Sequence, residues 1–199
     1  MRKIALIAVA VFVALVVGAC IVVALQPAEF GIQRSIRIAT PPAKVFPLVN
    51  DLEAWDAWSP WSKLDPNAVT TLSEPAVGKG ATIAWNGNDQ IGEGSMIIVE
   101  SRPDELVELE QSFVRPMEGK ARFYYEFNPR GAETQVTMRM AGTNGFLGKA
   151  MCLVMDMDAM LGPNFDQALV NLKAQAEKAE TQPDEPPNSA LPNSAPMAL

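Results

Sequence analysis

Residues 30–61 read FGIQRSIRIATPPAKVFPLVNDLEAWDAWSPW, and the order of signals inside this stretch decides the fold. Ile32, Ile36 and Ile38 share one parity, as in a strand with one buried face, and Arg34 is the polar interruption on that face. The spacing predicts a strand from Phe30 to Ala39. Thr40-Pro41-Pro42 then stops it, because a threonine is a good N-cap and a proline pre-sets the backbone of a first helical turn. A short helix is expected next, with Val45, Phe46, Leu48 and Val49 as its apolar residues. Pro47 limits it, since a proline in mid-helix removes a donor and kinks the axis. The stretch ends in three of the chain's four tryptophans, Trp55, Trp58 and Trp61; Trp55 and Trp58, three apart, share a helical face.

Downstream, from about Val69 to Ala141, the pattern is a meander of strands. Gly78-Lys79-Gly80 and Asn86-Gly87-Asn88 are turn clusters, and Asn-Gly between apolar runs is a strong hairpin signal. Met96 to Val99 form a continuous apolar run, and Leu106, Val107 and Leu109 lie in the strand after it. Phe123, Tyr125 and Phe127 alternate, as do Val136, Met138 and Met140. Hairpin after hairpin with no helix between them implies an antiparallel sheet. A last, helical element is expected from about Phe146 to Glu180. Leu147, Met151, Val154, Leu161, Phe165, Leu169 and Leu172 form its apolar stripe, and Gly162-Pro163 is expected to kink or break it. Residues 181–199, rich in Pro, Asn, Ser and Ala, bury too little surface to offset the entropy of ordering and read as a disordered tail.

Upstream, Arg2 and Lys3 precede an uncharged run from Ile4 to Leu25. At ~1.5 Å per residue such a run spans a hydrocarbon core of about 30 Å, and it is too long for a signal-peptide core of about 7–15 residues. Residues 1–29 are therefore expected to be a single-pass membrane anchor. The positive charges before it place the N-terminus in the cytoplasm and the body outside. Val17-Gly18-Ala19-Cys20 offers a rival, a lipoprotein box with Cys20 lipidated, and a plain cleaved signal is a third reading; each leaves the body outside the cytoplasm.

Residues 30–180, roughly 150 in number, are enough for one domain with a core of its own. The chain of 199 residues carries a net charge of -7, and its two early cations leave the rest more acidic still, so nucleic acid is not expected as a partner. It has no histidine, which excludes Ser-His-Asp and Cys-His catalysis and His-ligated zinc. No metal or other cofactor is implied. Cys20 lies in the apolar run, so a disulfide to Cys152 is implausible. Cys152, among Met151, Leu153 and Val154, is read as a small buried hydrophobe.

The order strand, two short helices, meander and long terminal helix is that of the helix-grip fold, an α+β arrangement in which a curved antiparallel sheet wraps the last helix. The sequence also resembles the SRPBCC superfamily, specifically its polyketide cyclase/dehydrase branch. The resemblance rests on Arg34-Ser35-Ile36, Pro41-Pro42-Ala43-Lys44-Val45-Phe46, Trp55-Asp56-Ala57-Trp58-Ser59-Pro60-Trp61 and Ile91-Gly92-Glu93-Gly94. It covers about residues 30–180 and implies a cavity between sheet and helix. Members range from cyclases to lipid carriers, so it marks the fold more than the activity.

A cavity of that kind is expected to hold a small hydrophobic molecule or lipid, lined by Trp55, Trp58, Trp85, Phe113, Phe123, Met138, Met140, Met151 and Met155, with thioether chains adapting its shape. Ordinary core packing explains the same residues. Asp158 stands out because helical counting from Leu147 puts it near the centre of the apolar stripe, where a carboxylate needs a donor such as Arg34 or Arg139. Three roles stay open for it: a ligand-orienting group or general base, a satisfied structural hydrogen bonder, or an exposed residue if Gly162-Pro163 resets the helix phase. The alternatives to a binding domain are a cyclase/dehydrase-like enzyme using such a carboxylate as base, and an interaction domain whose cavity is filled by its own side chains. Glu93, Glu110 and Glu126 are expected on the outer face of the strands.

Overall fold

The computed structural model describes residues 2–116, 118–143 and 145–181. The N-terminal run is one helix, α1 (Arg2–Leu25), with Leu6, Phe12 and Leu15 exposed along it. It is long and apolar enough to cross a membrane.

Seven strands follow: β1 (Glu29–Ile38), β2 (Val69–Leu72), β3 (Thr82–Asn86), β4 (Glu93–Arg102), β5 (Leu106–Arg115), β6 (Gly119–Arg130) and β7 (Glu133–Thr143). They form one antiparallel sheet in the order β1-β7-β6-β5-β4-β3-β2. Each step from β2 to β7 is a hairpin, and the first strand closes the order by pairing with the last. The β4–β5 turn follows from its residues: Pro103 fixes one φ, and Asp104 takes the left-handed conformation (φ 63°) that a short polar side chain tolerates. Before β4, Gly92 (φ 64°) lies so close to the Arg115 carbonyl that no Cβ fits there.

Between β1 and β2 lie α2 (Pro42–Asn50) and two short 3-10 turns, Glu53–Ala57 and Trp61–Lys63. Pro42 occupies the first helical position, as expected, but Thr40 is not the cap. Pro41 holds that place in extended conformation, without a side-chain cap bond. Thr40 is buried, and its carbonyl accepts from Thr134 Oγ1 at 2.6 Å. The helix continues through Pro47 and buries Val45, Phe46 and Val49.

The C-terminal element is broken, but not where Gly162-Pro163 predicts. α3 (Phe146–Val154) ends at Met155, and α4 (Met157–Thr181) runs unbroken through Pro163. The restart is set by Asp156, whose carboxylate accepts from the backbone N–H of Asp158 (2.9 Å) and Ala159 (3.1 Å), an N-cap placed just after α3 ends at Val154. α4 then buries Phe165, Ala168, Leu169, Leu172 and Ala176 against the sheet, at helical spacing. Cys152, expected to be buried, is exposed on α3, as Cys20 is on α1. The Pro-rich tail lies outside the described residues.

Candidate functional site

Directly paired residues of an antiparallel ladder point to the same face, so the register gives the inner face as rows across the sheet. One row is Arg34, Met138, Tyr125 and Val107; the next is Ile32, Met140, Phe123, Leu109 and Ile98. Beyond it come Phe30, Gly142, Ala121, Gln111 and Met96, and then Gly119, Phe113, Gly94 and Trp85. This last side is the end where β1 begins and β7 leaves for α3. The opposite end, where β1 finishes, is covered by α2.

The α2 end is packed shut. Trp55 and Trp58 lie 5.2 Å apart between ring centroids, and each meets the Tyr125 ring at 6.1 Å. Their indole N–H groups donate to the carbonyls of Val49 (2.9 Å) and Leu48 (2.8 Å), at the C-terminal end of α2. Trp58 and Tyr125 are each 1% exposed, and burial pushes the Tyr125 phenol pKa up. Phe123 stacks on Phe165 of α4 at 6.0 Å, and Trp61 meets Phe165 edge-on at 6.1 Å. The Trp-Asp-Ala-Trp segment thus wedges the short elements onto the sheet. Of the residues expected to line a cavity, Trp55, Trp58, Phe123 and Met138 are interior packing around this aromatic cluster.

The other end is different. Phe30, Met96 and Phe113 of the sheet, with Trp61, Met157 and Leu161, are apolar yet only partly buried. Trp85 shares this region, its ring lying where a Cβ on Gly94 would fall and its N–H donating to the Ile91 carbonyl at 3.1 Å. The Phe30 ring covers Gly142 in the same way. Met140 borders this region from the neighbouring row. Met151 is half-buried on α3, whereas Met155, at the α3–α4 break, is exposed.

Gln111 is the residue that the sequence reading passed over. It is 5% exposed on the inner face, between Ala121 and Met96, and its Oε1 is buried with no hydrogen-bond partner. A signal existed, because Gln111 shares the parity of Val107, Leu109 and Phe113.

Asp158 does not face the interior. The break at Met155 shifts the helical phase, and the Asp158 side chain is 60% exposed in the first turn of α4, 2.8 Å from Arg34 Nη2. Arg34 also reaches Asp166 at 3.3 Å. The two acids sit eight residues apart on one face, with Gly162 midway, and a Cβ on Gly162 would collide with the guanidinium. The hydrogen bond from Arg34 holds the Asp158 carboxyl below the usual carboxylate range, which makes it a weaker base. No strand presents a carboxylate on the inner face among the described residues. Glu108 and Glu110 pair with Arg122 on the outer face (2.7 and 3.7 Å), where Arg139 stacks 3.8 Å over Tyr124 and is no partner for Asp158. Two surface grooves, one along Lys120, Arg122 and Tyr124 and one along Glu126, Asn128 and Arg139, lie on that outer face and not between sheet and helix.

Residues 29–177 match the family described as polyketide cyclase/dehydrase and lipid transport. Among solved structures, the Zhui aromatase/cyclase from Streptomyces sp. R1128 is similar with a TM-score of 0.56 at 12% identity, over 76% of this chain and 96% of that one. Protein CV1439 from Chromobacterium violaceum is similar with a TM-score of 0.51 at 16% identity, over 76% and 99%. The di-domain aromatase/cyclase StfQ of the steffimycin pathway reaches 0.57 at 14% identity, over 78% of this chain and 53% of its own. At these identities the likeness is one of fold. No curated protein matches the sequence.

Proposed function

The chain belongs to the polyketide cyclase/dehydrase and lipid transport family, and from that premise we propose that it binds a small hydrophobic molecule or lipid at the open end of its sheet, beside a bilayer that α1 spans. The observation that carries this reading is the asymmetry of the interior. One end is sealed by tryptophans, and the other keeps Phe30, Met96, Phe113 and Leu161 partly exposed, an apolar patch that gains from being covered. Trp85, Phe113, Met140 and Met151 are the lining residues retained from the sequence reading. The open end is also the end from which α1 leaves: α3 packs on α1, and Lys149 Nζ donates to the Ala24 carbonyl at 3.2 Å. A ligand leaving the membrane thus has a short path to the site. In this reading residues 1–29 serve as the anchor and 30–180 as the binding domain.

The cyclase reading needs a base next to the substrate. The carboxylate proposed for that role is turned outward and salt-bridged, so binding is the function the geometry supports best. The test is native mass spectrometry of the full chain released from nanodiscs of its own membrane. A bound non-protein mass, displaced in a saturable way by a naphthol probe, is expected. A bare chain that takes up no probe overturns the reading.

A further inference from the structure

We propose that Gln111 Oε1 accepts a hydrogen bond from the bound molecule, so that the ligand class is an apolar compound bearing a hydroxyl or N–H donor and not a carboxylate anion. The inference rests on the open-end site above and names the chemistry that site selects. Three observations carry it.

The first is that other polar groups of the interior already have partners. The indoles of Trp55, Trp58 and Trp85 donate to backbone carbonyls, and Thr134 Oγ1 donates to the Thr40 carbonyl. Gln111 Oε1 stands apart as a buried acceptor without a donor, a state that folded proteins rarely keep unless something else completes it.

The second is its place. Gln111 lies one row nearer the open end than the stacked pair of Phe123 and Phe165, and its neighbours along the row on one side, Ala121 and Gly142, carry at most a methyl. The space over Gly142 is filled by the Phe30 ring, a partly buried side chain of the open end, so a ligand group reaches Oε1 where that ring gives way, with apolar Met96 and Phe113 nearby to hold the rest of the molecule.

The third is charge. The cation of the inner face, Arg34, sits two rows deeper and is committed to Asp158 and Asp166. A carboxylate at Oε1 would meet an acceptor, and the amide Nε2 is a neutral donor with no cation beside it, so the anion would be buried without a counter-charge, which is strongly unfavourable. A hydroxyl meets a partner instead.

Such a donor occurs on an aliphatic lipid alcohol or on the phenol of an aromatic polyketide. The experiment carries both in matched series: dodecanol, its methyl ether and dodecanoate; 2-naphthol, 2-methoxynaphthalene and 2-naphthoate. Binding to the full chain in nanodiscs is measured for the wild type and for Gln111→Met, which keeps the length and loses the acceptor. The wild type is expected to prefer the alcohol or phenol over its ether and its acid. Gln111→Met is expected to lose about tenfold for the donor-bearing probe, the scale of one well-placed hydrogen bond, and nothing for the ether. The series that binds tighter identifies the ligand body. Equal binding of alcohol and ether, or tighter binding of the acid, overturns the role of Gln111 while leaving the site in place. Failure of all six probes overturns the site as well. The wild-type comparison holds even if the variant folds poorly; Gln111→Leu then supplies the second apolar replacement.

Discussion

Arg34 limits what a substitution on α4 gains from helix propensity. Gly162 lies inside a helix, where glycine is ordinarily destabilising by about 0.5–1 kcal/mol relative to alanine. A Gly162→Ala change should therefore stabilise, but the added methyl would occupy the space of the guanidinium that bridges Asp158 and Asp166. The expected outcome is a melting temperature for Gly162→Ala that rises by less than the propensity gain, and recovery of the full gain in the Arg34→Ala background. Thermal melts of the two single variants and the double variant check this, and additivity would remove the coupling. Asp158→Asn, in contrast, is expected to leave ligand affinity unchanged, because the side chain faces solvent at the rim; a loss of affinity by titration would return Asp158 to the site. The residue scale also shows where sequence was legible and where it was not. Arg34 was visible as a polar interruption of a buried parity, and its pairing with Asp158 was among the options. The exposure of Asp158 was not, because it depends on a cap at Asp156 that competes with the louder signal of Gly162-Pro163.

The elements rest on two kinds of contact that respond to different perturbations. The α2 end depends on aromatic volume: Trp58 is sealed between Trp55 and Tyr125, so Trp58→Ala should lower stability by about 3–5 kcal/mol, the usual range for removing a buried tryptophan. Urea unfolding measures it, and a loss under 1 kcal/mol would mean that the wedge is not structural. The seat of α4 on β1 depends instead on charge. Lys173 donates to the Arg37 carbonyl, Glu177 accepts from the Ala39 N–H at 2.8 Å, and Arg34 holds the first turns. The Ala39 hydrogen bond, ahead of the Lys173 contacts, lowers the Glu177 pKa, and the Arg34 hydrogen bond lowers that of Asp158. A carboxyl depressed in the folded state contributes stability that is complete above its unfolded pKa, ~4.3 for Glu and ~3.9 for Asp, and that is lost as pH falls through the lower folded value. Melting temperature is thus expected to fall as pH drops below about 5, and Glu177→Gln with Asp158→Asn to flatten that fall. An unchanged acid profile in the double variant would show that α4 is held by its apolar face alone. That face was legible in the spacing of Phe165, Leu169 and Leu172, just as the strands were in Phe123-Tyr125-Phe127 and Val136-Met138-Met140. The polar clamps were not, because Ala39 N–H and the Arg37 carbonyl are backbone groups that a side-chain pattern does not display.

At the scale of the molecule, the open end of the sheet and the apolar helix α1 lie on the same side, and in the proposed function this gives the site its direction relative to the bilayer. Composition made α1 legible as a helix long and apolar enough to cross a membrane. It did not reveal that α3 packs against it, because the apolar spacing of Leu147, Met151 and Val154 reads equally as a face turned to the sheet. With Arg2 and Lys3 as the only charges in α1, the cation excess lies before the span, and the proposed orientation puts the domain outside the cytoplasm. The two cysteines make this testable without new ones, because Cys152 is exposed on α3 and Cys20 sits within the proposed span. In intact cells a small membrane-impermeant maleimide should label Cys152, and Cys152→Ser should abolish the signal, because Cys20 is shielded by lipid. Labelling that appears only after the membrane is permeabilised would reverse the orientation. It would place the open end on the cytoplasmic surface, where the ligand is drawn from a different leaflet, while leaving the interior chemistry of the site unchanged.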